Sequence, residues 1–237
     1  MGSKSRLSKY IVPILNSYDR KYYIEPFVGG ANIIDKVDFK YRIGYDKNPY
    51  LIELLKYLQT NSTLPTSISE NEYYDVRDNK NDYPDWYVGL VGFCASYGGR
   101  FFEGYPRGKK SDGTPRDYTN EAIRNLEKQR QYLTDIKFFK CDYSKIDVRN
   151  RNCLIYCDPP YSSSKPYKVS LLGKFNHDIF WKWVREQSTT NPVIVSEYDA
   201  PDDFTCIWSK DTKSNLKLHG TKKNTEKLFT LINTINQ

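Results

Sequence analysis

The sequence has little of what metal centres, disulfides and membranes require. Among 237 residues there are two His and five Cys. The closest cysteine pair, Cys153 and Cys157, lies in CLIYC, which reads as a strand. That spacing sets the two roughly 13 Å apart on one face, too far to share a disulfide or a zinc ion. Reduced, buried cysteines and no metal are expected. No apolar run approaches about 18 residues, which excludes a membrane helix. The opening MGSKSRLSKYIVPIL holds only a short apolar stretch broken by Pro13, whereas a secretory signal needs a longer one. A cytoplasmic location is expected. Apolar residues make up only 38%, but 21 Tyr, 11 Phe and four Trp supply large units to bury, which argues against disorder. The length suits one mid-sized domain, or one core carrying an insertion.

What is there begins with charge. The formal net charge is +7, and it sits in ends and loops. Residues 1–24 carry five basic against one acidic, 161–185 five against one, and 205–237 six against two. The stretch 61–140 balances at twelve each, although 98–116 holds five basic and two acidic. Such a pattern suits a polyanionic partner or a merely soluble basic surface, and charge alone does not choose.

Periodicity predicts a helix over 5–16, with Ile11, Leu15 and Tyr18 on one stripe. KYYIEPF reads as a strand entering Gly29–Gly30, followed by a helix over ANIIDKV (31–37). YRIGYD (41–46) is a second strand and NPYLIELLKYLQ (48–59) a helix with Pro49 in its first turn. This is the opening of a parallel α/β sheet. The rhythm then breaks, because the next strands are IKFFKC (136–141) and NCLIYC (152–157). Between them lie helices over 83–97 and 119–133, separated by a Gly-, Pro- and charge-rich loop at 98–117. Residues 60–135 are expected to form an inserted, mainly helical subdomain, with 1–59 and 136–237 as the main domain; a larger single core with a decorated edge is the alternative. After CLIYC come DPPY, a polar loop to about 173, a helix over 177–187, and strands at 192–198, 204–210 and 226–233, the last pair antiparallel.

Two segments at the carboxyl ends of strands carry the chemistry, where open α/β sheets bind ligands. In EPFVGGAN (25–32) a Gly pair between strand and helix lets backbone approach a ligand and leaves N–H groups free, although a plain tight turn would look the same. Asp46 ends the second strand, where an acidic side chain suits ribose hydroxyls. The loop is not G-x-G-x-x-G, so a dinucleotide is disfavoured. Asp158-Pro159-Pro160-Tyr161 is more specific. Two prolines fix φ and remove donors, leaving a carboxylate beside rigid carbonyls as paired acceptors for an exocyclic amino group. Tyr161 adds a flat face for a planar base.

These motifs resemble the Dam-type, D12-like adenine-N6 DNA methyltransferases of the alpha class, most closely the short bacteriophage and prophage versions, over most of the chain. The resemblance implies a Rossmann-like class I methyltransferase sheet, S-adenosylmethionine as cofactor and double-stranded DNA as partner, with no membrane or obligate protein partner. EPFVGGAN is similar to the cofactor loop, implying Pro26, Phe27, Gly29, Gly30, Ala31 and Asn32 as cofactor contacts; Ala31 stands where the family has Gly. The resemblance further implies Lys4 near the methionine carboxylate, Asp46 on the ribose and Asp142 near the cofactor adenine. Asp158, Pro159, Pro160 and Tyr161 then form the catalytic motif, with Asp158 also beside the cofactor. The family keeps target recognition in the insertion, which implies Arg100, Arg107, Lys109, Lys110 and Arg116 as DNA contacts and Phe101, Phe102 and Tyr105 as wedges beside a flipped adenine. Lys222, Lys223 and Lys227 are further candidates for backbone contacts. Methylation of cytosine N4 or of RNA, and a DNA-binding module without catalysis, are the rival readings.

Overall fold

The computed structural model describes residues 4–60, 63–161, 175–214 and 222–232. The polar loop expected after Tyr161 and the side chains of Lys222 and Lys223 lie outside the described residues. Seven strands form one sheet, β1 (Tyr22–Glu25), β2 (Tyr41–Asp46), β3 (Ile136–Lys140), β4 (Cys153–Cys157), β5 (Val193–Glu197), β6 (Phe204–Ser214) and β7 (Lys222–Leu231), in the order β3-β2-β1-β4-β5-β7-β6. The first five are parallel, while β7 pairs antiparallel with both β5 and β6. This is the doubly wound, Rossmann-like sheet that the resemblance implies, with an antiparallel end. Its switch point lies between β1 and β4 (Tyr22↔Cys153, Ile24↔Ile155), which puts their carboxyl ends side by side, where ligands bind in such sheets.

Period-2 alternation sends each strand's side chains to two different cores. Cys153, Ile155 and Cys157 of β4, with Val193 and Val195 of β5, pack on Phe180, Trp183 and Val184 of α6 (His177–Gln187). All five cysteines are free thiols. On the other face, Tyr23, Leu154, Tyr156 and Ile194 meet Ile11 and Leu15 of α1 (Ser8–Asn16) and Leu51, Leu54, Leu55 and Leu58 of α2 (Pro49–Gln59). The start of α2 is set locally: Asn48 Oδ1 accepts the N–H of Tyr50 (3.0 Å) and of Leu51 (3.3 Å), and Pro49 opens the first turn, an N-cap worth about 1 kcal/mol.

The helix expected over 31–37 does not form. Ala31 sits at φ 55°, a left-handed conformation from which an α-helix cannot continue, and the segment is a series of turns. Its Ile33, Ile34 and Val37 are nevertheless buried, so the apolar pattern reported burial rather than helix. The chain at 5–16 likewise begins as a 3-10 turn at Lys4–Arg6 before α1.

Residues 60–135 contain α3 (Glu70–Asp78), α4 (Asp85–Cys94) and α5 (Tyr118–Arg130). The segment leaves and returns at one place. Gln59 Nε2 donates to the carbonyls of Leu133 and Ile136, both at 2.7 Å, and Arg130 donates to the Thr60 carbonyl at 2.6 Å. Its apolar residues, among them Tyr73, Val88, Leu90, Phe101, Phe102 and Ile123, belong to the same core as α1 and α2. Contact with α2 is close: a Cβ added at Gly89 would sit 2.2 Å from the Tyr50 carbonyl oxygen, so only glycine lets these helices approach. No helix among the described residues is long and apolar enough to cross a membrane.

Candidate active site

At the end of β1, Glu25 is buried and accepts the Tyr23 hydroxyl at 2.7 Å. Burial pushes its carboxyl well above the usual range, against the opposing Tyr23 hydrogen bond. The loop that follows is laid on β2, with Val28 N–H donating to the Tyr45 carbonyl at 2.8 Å. Gly29 turns at φ 49° and Ala31 at φ 55°. Asp46, ending β2, closes the loop: Oδ2 accepts Gly29 N–H (3.2 Å) and Oδ1 accepts Asn48 N–H (2.9 Å). Burial raises its pKa to about 6, against the backbone N–H groups that favour the charged form. A contact from α5 also reaches this loop. Gln129 Nε2 on α5 donates to the carbonyls of Gly30 (3.0 Å) and Ala31 (3.1 Å) and to Asp35 Oδ2 (2.9 Å).

Beside the loop stands an aromatic wall. The Phe27 ring lies 5.2 Å from Tyr143, 5.8 Å from Phe175 and 5.7 Å from Phe180. Asp142, next to Tyr143, accepts Ser144 N–H (3.0 Å) and Oγ–H (2.8 Å) and pairs with Lys47 (3.0 Å). Burial works against its charge, but Ser144 and Lys47 prevail and hold the carboxyl below its ordinary pKa.

Asp158 leaves the central strand β4, with Pro159 buried and Pro160 exposed. Burial pushes its carboxyl up, the Lys4 ammonium opposes this and Glu226 adds to it. Lys4 Nζ lies 3.4 Å from Asp158 Oδ1 and 2.8 Å from Glu226 Oε2. Burial pushes the Lys4 pKa down, but the two carboxylates outweigh it and hold the pKa above the ordinary value. The Tyr161 hydroxyl donates to Glu226 Oε2 (2.7 Å), lies 3.0 Å from Ser196 Oγ and accepts from Lys4. Its ring meets Tyr198 edge-on at 4.5 Å. Lys4, Asp46, Asp158, the glycine loop and Tyr161 therefore share one edge of the sheet, although more than 150 residues separate Lys4 from Asp158.

A family model described as D12 class N6 adenine-specific DNA methyltransferase matches residues 1–214. The chain belongs to that family. It is an adenine-specific DNA methyltransferase, using S-adenosylmethionine to methylate N6 of adenine in DNA. Its fold is similar to that of PH1948 from Pyrococcus horikoshii, provisionally named an RNA methyltransferase (10% identity over 97% of this chain and 83% of that one, TM-score 0.44). The rRNA methyltransferase AviRa from Streptomyces viridochromogenes is also similar (11% identity over 98% and 86%, TM-score 0.43). No curated protein matches the chain.

Residues 60–135 of this methyltransferase depart from the sequence expectation in one respect. Phe101 and Phe102, expected as exposed wedges, are buried: Phe101 stacks on Tyr50 (5.6 Å) and packs on Phe93 (5.0 Å), and Phe102 packs on Tyr73 (5.4 Å). Tyr105 is half-buried against Tyr73 and donates its hydroxyl to the Ile68 carbonyl at 2.9 Å. Their apolar area is spent on the core, since a loop this short on regular structure gains order only by burying its aromatics. The cations stay outside. Arg100, Arg107, Lys109, Lys110 and Arg116 are exposed; Lys109, Lys110 and Arg116 lie on a small hairpin closed by Lys110 N–H to Thr114 O (2.8 Å) and Arg116 N–H to Gly108 O (3.0 Å), which Arg107 immediately precedes. Arg107 pairs with Glu70, and Arg116 with Glu121 at 2.7 Å. Sequence reasoning missed Glu226, Ser196, Gln129 and Glu25. Only Glu25 carried a signal, standing directly before the loop motif.

Proposed function

We propose that this methyltransferase acts on double-stranded DNA at a specific site, on an adenine flipped out of the helix, with Asp158 as the group that activates N6. The observation that carries the reading is Asp158, held by two prolines at the exit of the central strand, on the sheet edge it shares with Asp46 and the glycine loop. The donor set suits S-adenosylmethionine: a carboxylate at Asp46 for ribose hydroxyls, aromatic faces at Phe27 and Tyr143 for a purine, Asp142 for its amino edge, and the Lys4 ammonium for a carboxylate. Pro26, Gly29, Gly30, Ala31 and Asn32 line the same turn. When bound, the cofactor supplies a methyl group made electrophilic by its sulfonium.

Adenine N6 is a poor nucleophile because its lone pair is drawn into the ring. The Asp158 carboxylate and the Pro159 carbonyl accept its two hydrogens, which turns the lone pair out of the ring plane toward the methyl carbon. N6 becomes acidic as its bond to that carbon forms and the carbon–sulfur bond breaks, the electron pair leaving with sulfur as a neutral thioether; Asp158 then takes the proton and passes it to solvent. The gain comes from positioning and fixed charge. Tyr161 stacks on the base. Residues 60–135 act as the target-recognition region, with Arg100, Arg107, Lys109, Lys110 and Arg116 on phosphates or base edges and Lys227 as a further backbone contact.

The test is incubation with unmethylated genomic DNA and S-adenosylmethionine, followed by digestion to nucleosides and mass spectrometry. N6-methyladenine in duplex substrate is expected, and long-read sequencing of the same DNA gives its site. N4-methylcytosine would overturn the role assigned to Asp158, and methylation confined to RNA would overturn the substrate.

A further inference from the structure

We propose that Glu226 is a positioning residue for methyl transfer, drawing the Lys4 ammonium off Asp158 and fixing the Tyr161 hydroxyl. This rests on the reading of Asp158 given above. One carboxylate oxygen, Glu226 Oε2, takes both contacts: Lys4 Nζ at 2.8 Å and the Tyr161 hydroxyl at 2.7 Å. Lys4 stands farther from Asp158, at 3.4 Å, so the stronger pairing goes to Glu226. The side chains of Lys4 and Glu226 are only 8% and 13% exposed, and at that burial their charges are weakly screened.

The consequence is chemical. A carboxylate in a tight ion pair has its lone pairs committed and is a poor acceptor for a substrate amino group. An ammonium shared between two carboxylates stabilises the site without quenching Asp158. Glu226 can do this because its strand is rigid. It sits opposite Lys210 of β6, and its neighbour Lys227 pairs with Glu197 of β5, so the carboxylate is carried on the middle strand of three. Ser196 on β5, 3.0 Å from the Tyr161 oxygen, holds the same hydroxyl from the next strand.

The test compares wild type, Glu226→Gln, Glu226→Asp, Lys4→Met and the Lys4→Met/Glu226→Gln double variant in single-turnover methylation at saturating cofactor and DNA, with thermal melting to score folding. Wild type yielding N6-methyladenine is the control for the reading itself; an inert wild type takes this proposal down with that reading. With an active wild type, Glu226→Gln is expected to lose about 100-fold in kcat, the scale of a mispositioned reacting group, while the Kd for cofactor and for DNA moves less than about threefold. Glu226→Asp should recover part of the rate. The double variant should turn over faster than Glu226→Gln, because removing the ammonium frees Asp158. An unchanged kcat in Glu226→Gln sinks the proposal, as does a double variant whose loss is the product of the two single losses, which would mean that Glu226 acts without Lys4. A Glu226→Gln protein that unfolds is replaced in the comparison by Glu226→Asp, where a wild-type rate counts against positioning by this carboxylate and a partial loss relieved by Lys4→Met supports it.

Discussion

The sheet edge and the basic hairpin of the insertion both pair cations with carboxylates, and they do so on opposite terms. At the sheet edge, Lys4 and Glu226 are 8% and 13% exposed and stand 2.8 Å apart, in residues at the two ends of the chain. At the base of the hairpin, Arg107 pairs with Glu70 of α3, and their side chains are 72% and 36% exposed. The first pair has left water, so its geometry is demanding, and removing one partner strands a buried charge. The second gains at most about 1 kcal/mol and is screened by salt, so Arg107 can exchange Glu70 for a phosphate at little cost. Buried pairs hold their partners in place. Exposed pairs leave their charges exchangeable.

The sharpest way to break this comparison is at Asp158. Asp158→Ala is expected to lower the methylation rate by at least about 1,000-fold while calorimetric titration shows cofactor binding largely kept. Equal loss of both would mean that the residue holds the cofactor rather than activating N6. Next comes Phe101, which sits among the candidate DNA contacts in sequence but in the core in space. Phe101→Ala should cost about 3–4 kcal/mol of stability in urea unfolding, and a stable variant with weakened DNA binding would restore Phe101 as a wedge.

A smaller effect comes from pH at Asp46. With its pKa raised to about 6 by burial, ionised Asp46 is needed to accept ribose hydroxyls, so cofactor affinity should fall about tenfold per unit as pH drops below 6. Stability of the free protein should move the other way. The folded state holds this proton more tightly than the unfolded chain, so Asp46 contributes stability below its unfolded pKa and loses it as pH rises through about 6. Calorimetry and melting from pH 5 to 8 check both signs, and a flat affinity profile removes Asp46 from the ribose. The mildest expected change is in Arg107→Ala with Lys109→Ala. DNA binding should weaken a few-fold at moderate salt, and the log–log salt slope should become shallower by about two. An unchanged slope would take the hairpin off the DNA surface.

Much of the fold was legible where information is local. The strand at 41–46 and the helix over 48–59 followed from periodicity and from Pro49 in its first turn, whereas α3, opened by a Ser69–Glu72 capping box, was not read. The stretch 31–37 misled because burial of Ile33, Ile34 and Val37 produces an apolar pattern whether or not the backbone is helical, and nothing in the string marks Ala31 as left-handed. Phe101 and Phe102 misled for a related reason: a polar, Gly-rich neighbourhood predicts a loop, not which of its side chains face inward. The family motifs were readable, but Gln129, which reaches three acceptors around the glycine loop, lies in a helix of mixed polar residues where nothing in the sequence sets it apart.

The sequence by itself determined the local elements and the chemical groups at the strand ends, because capping, turn chemistry and side-chain alternation act over a few residues. The tertiary structure alone decided which charges meet. Lys4, Asp158, Tyr161 and Glu226 come together because the strand order sets β7 beside β5, one strand removed from β4, and brings the first turn of the chain across their carboxyl edge. An ion pair spanning more than two hundred residues is fixed by packing, and no spacing in the sequence encodes it.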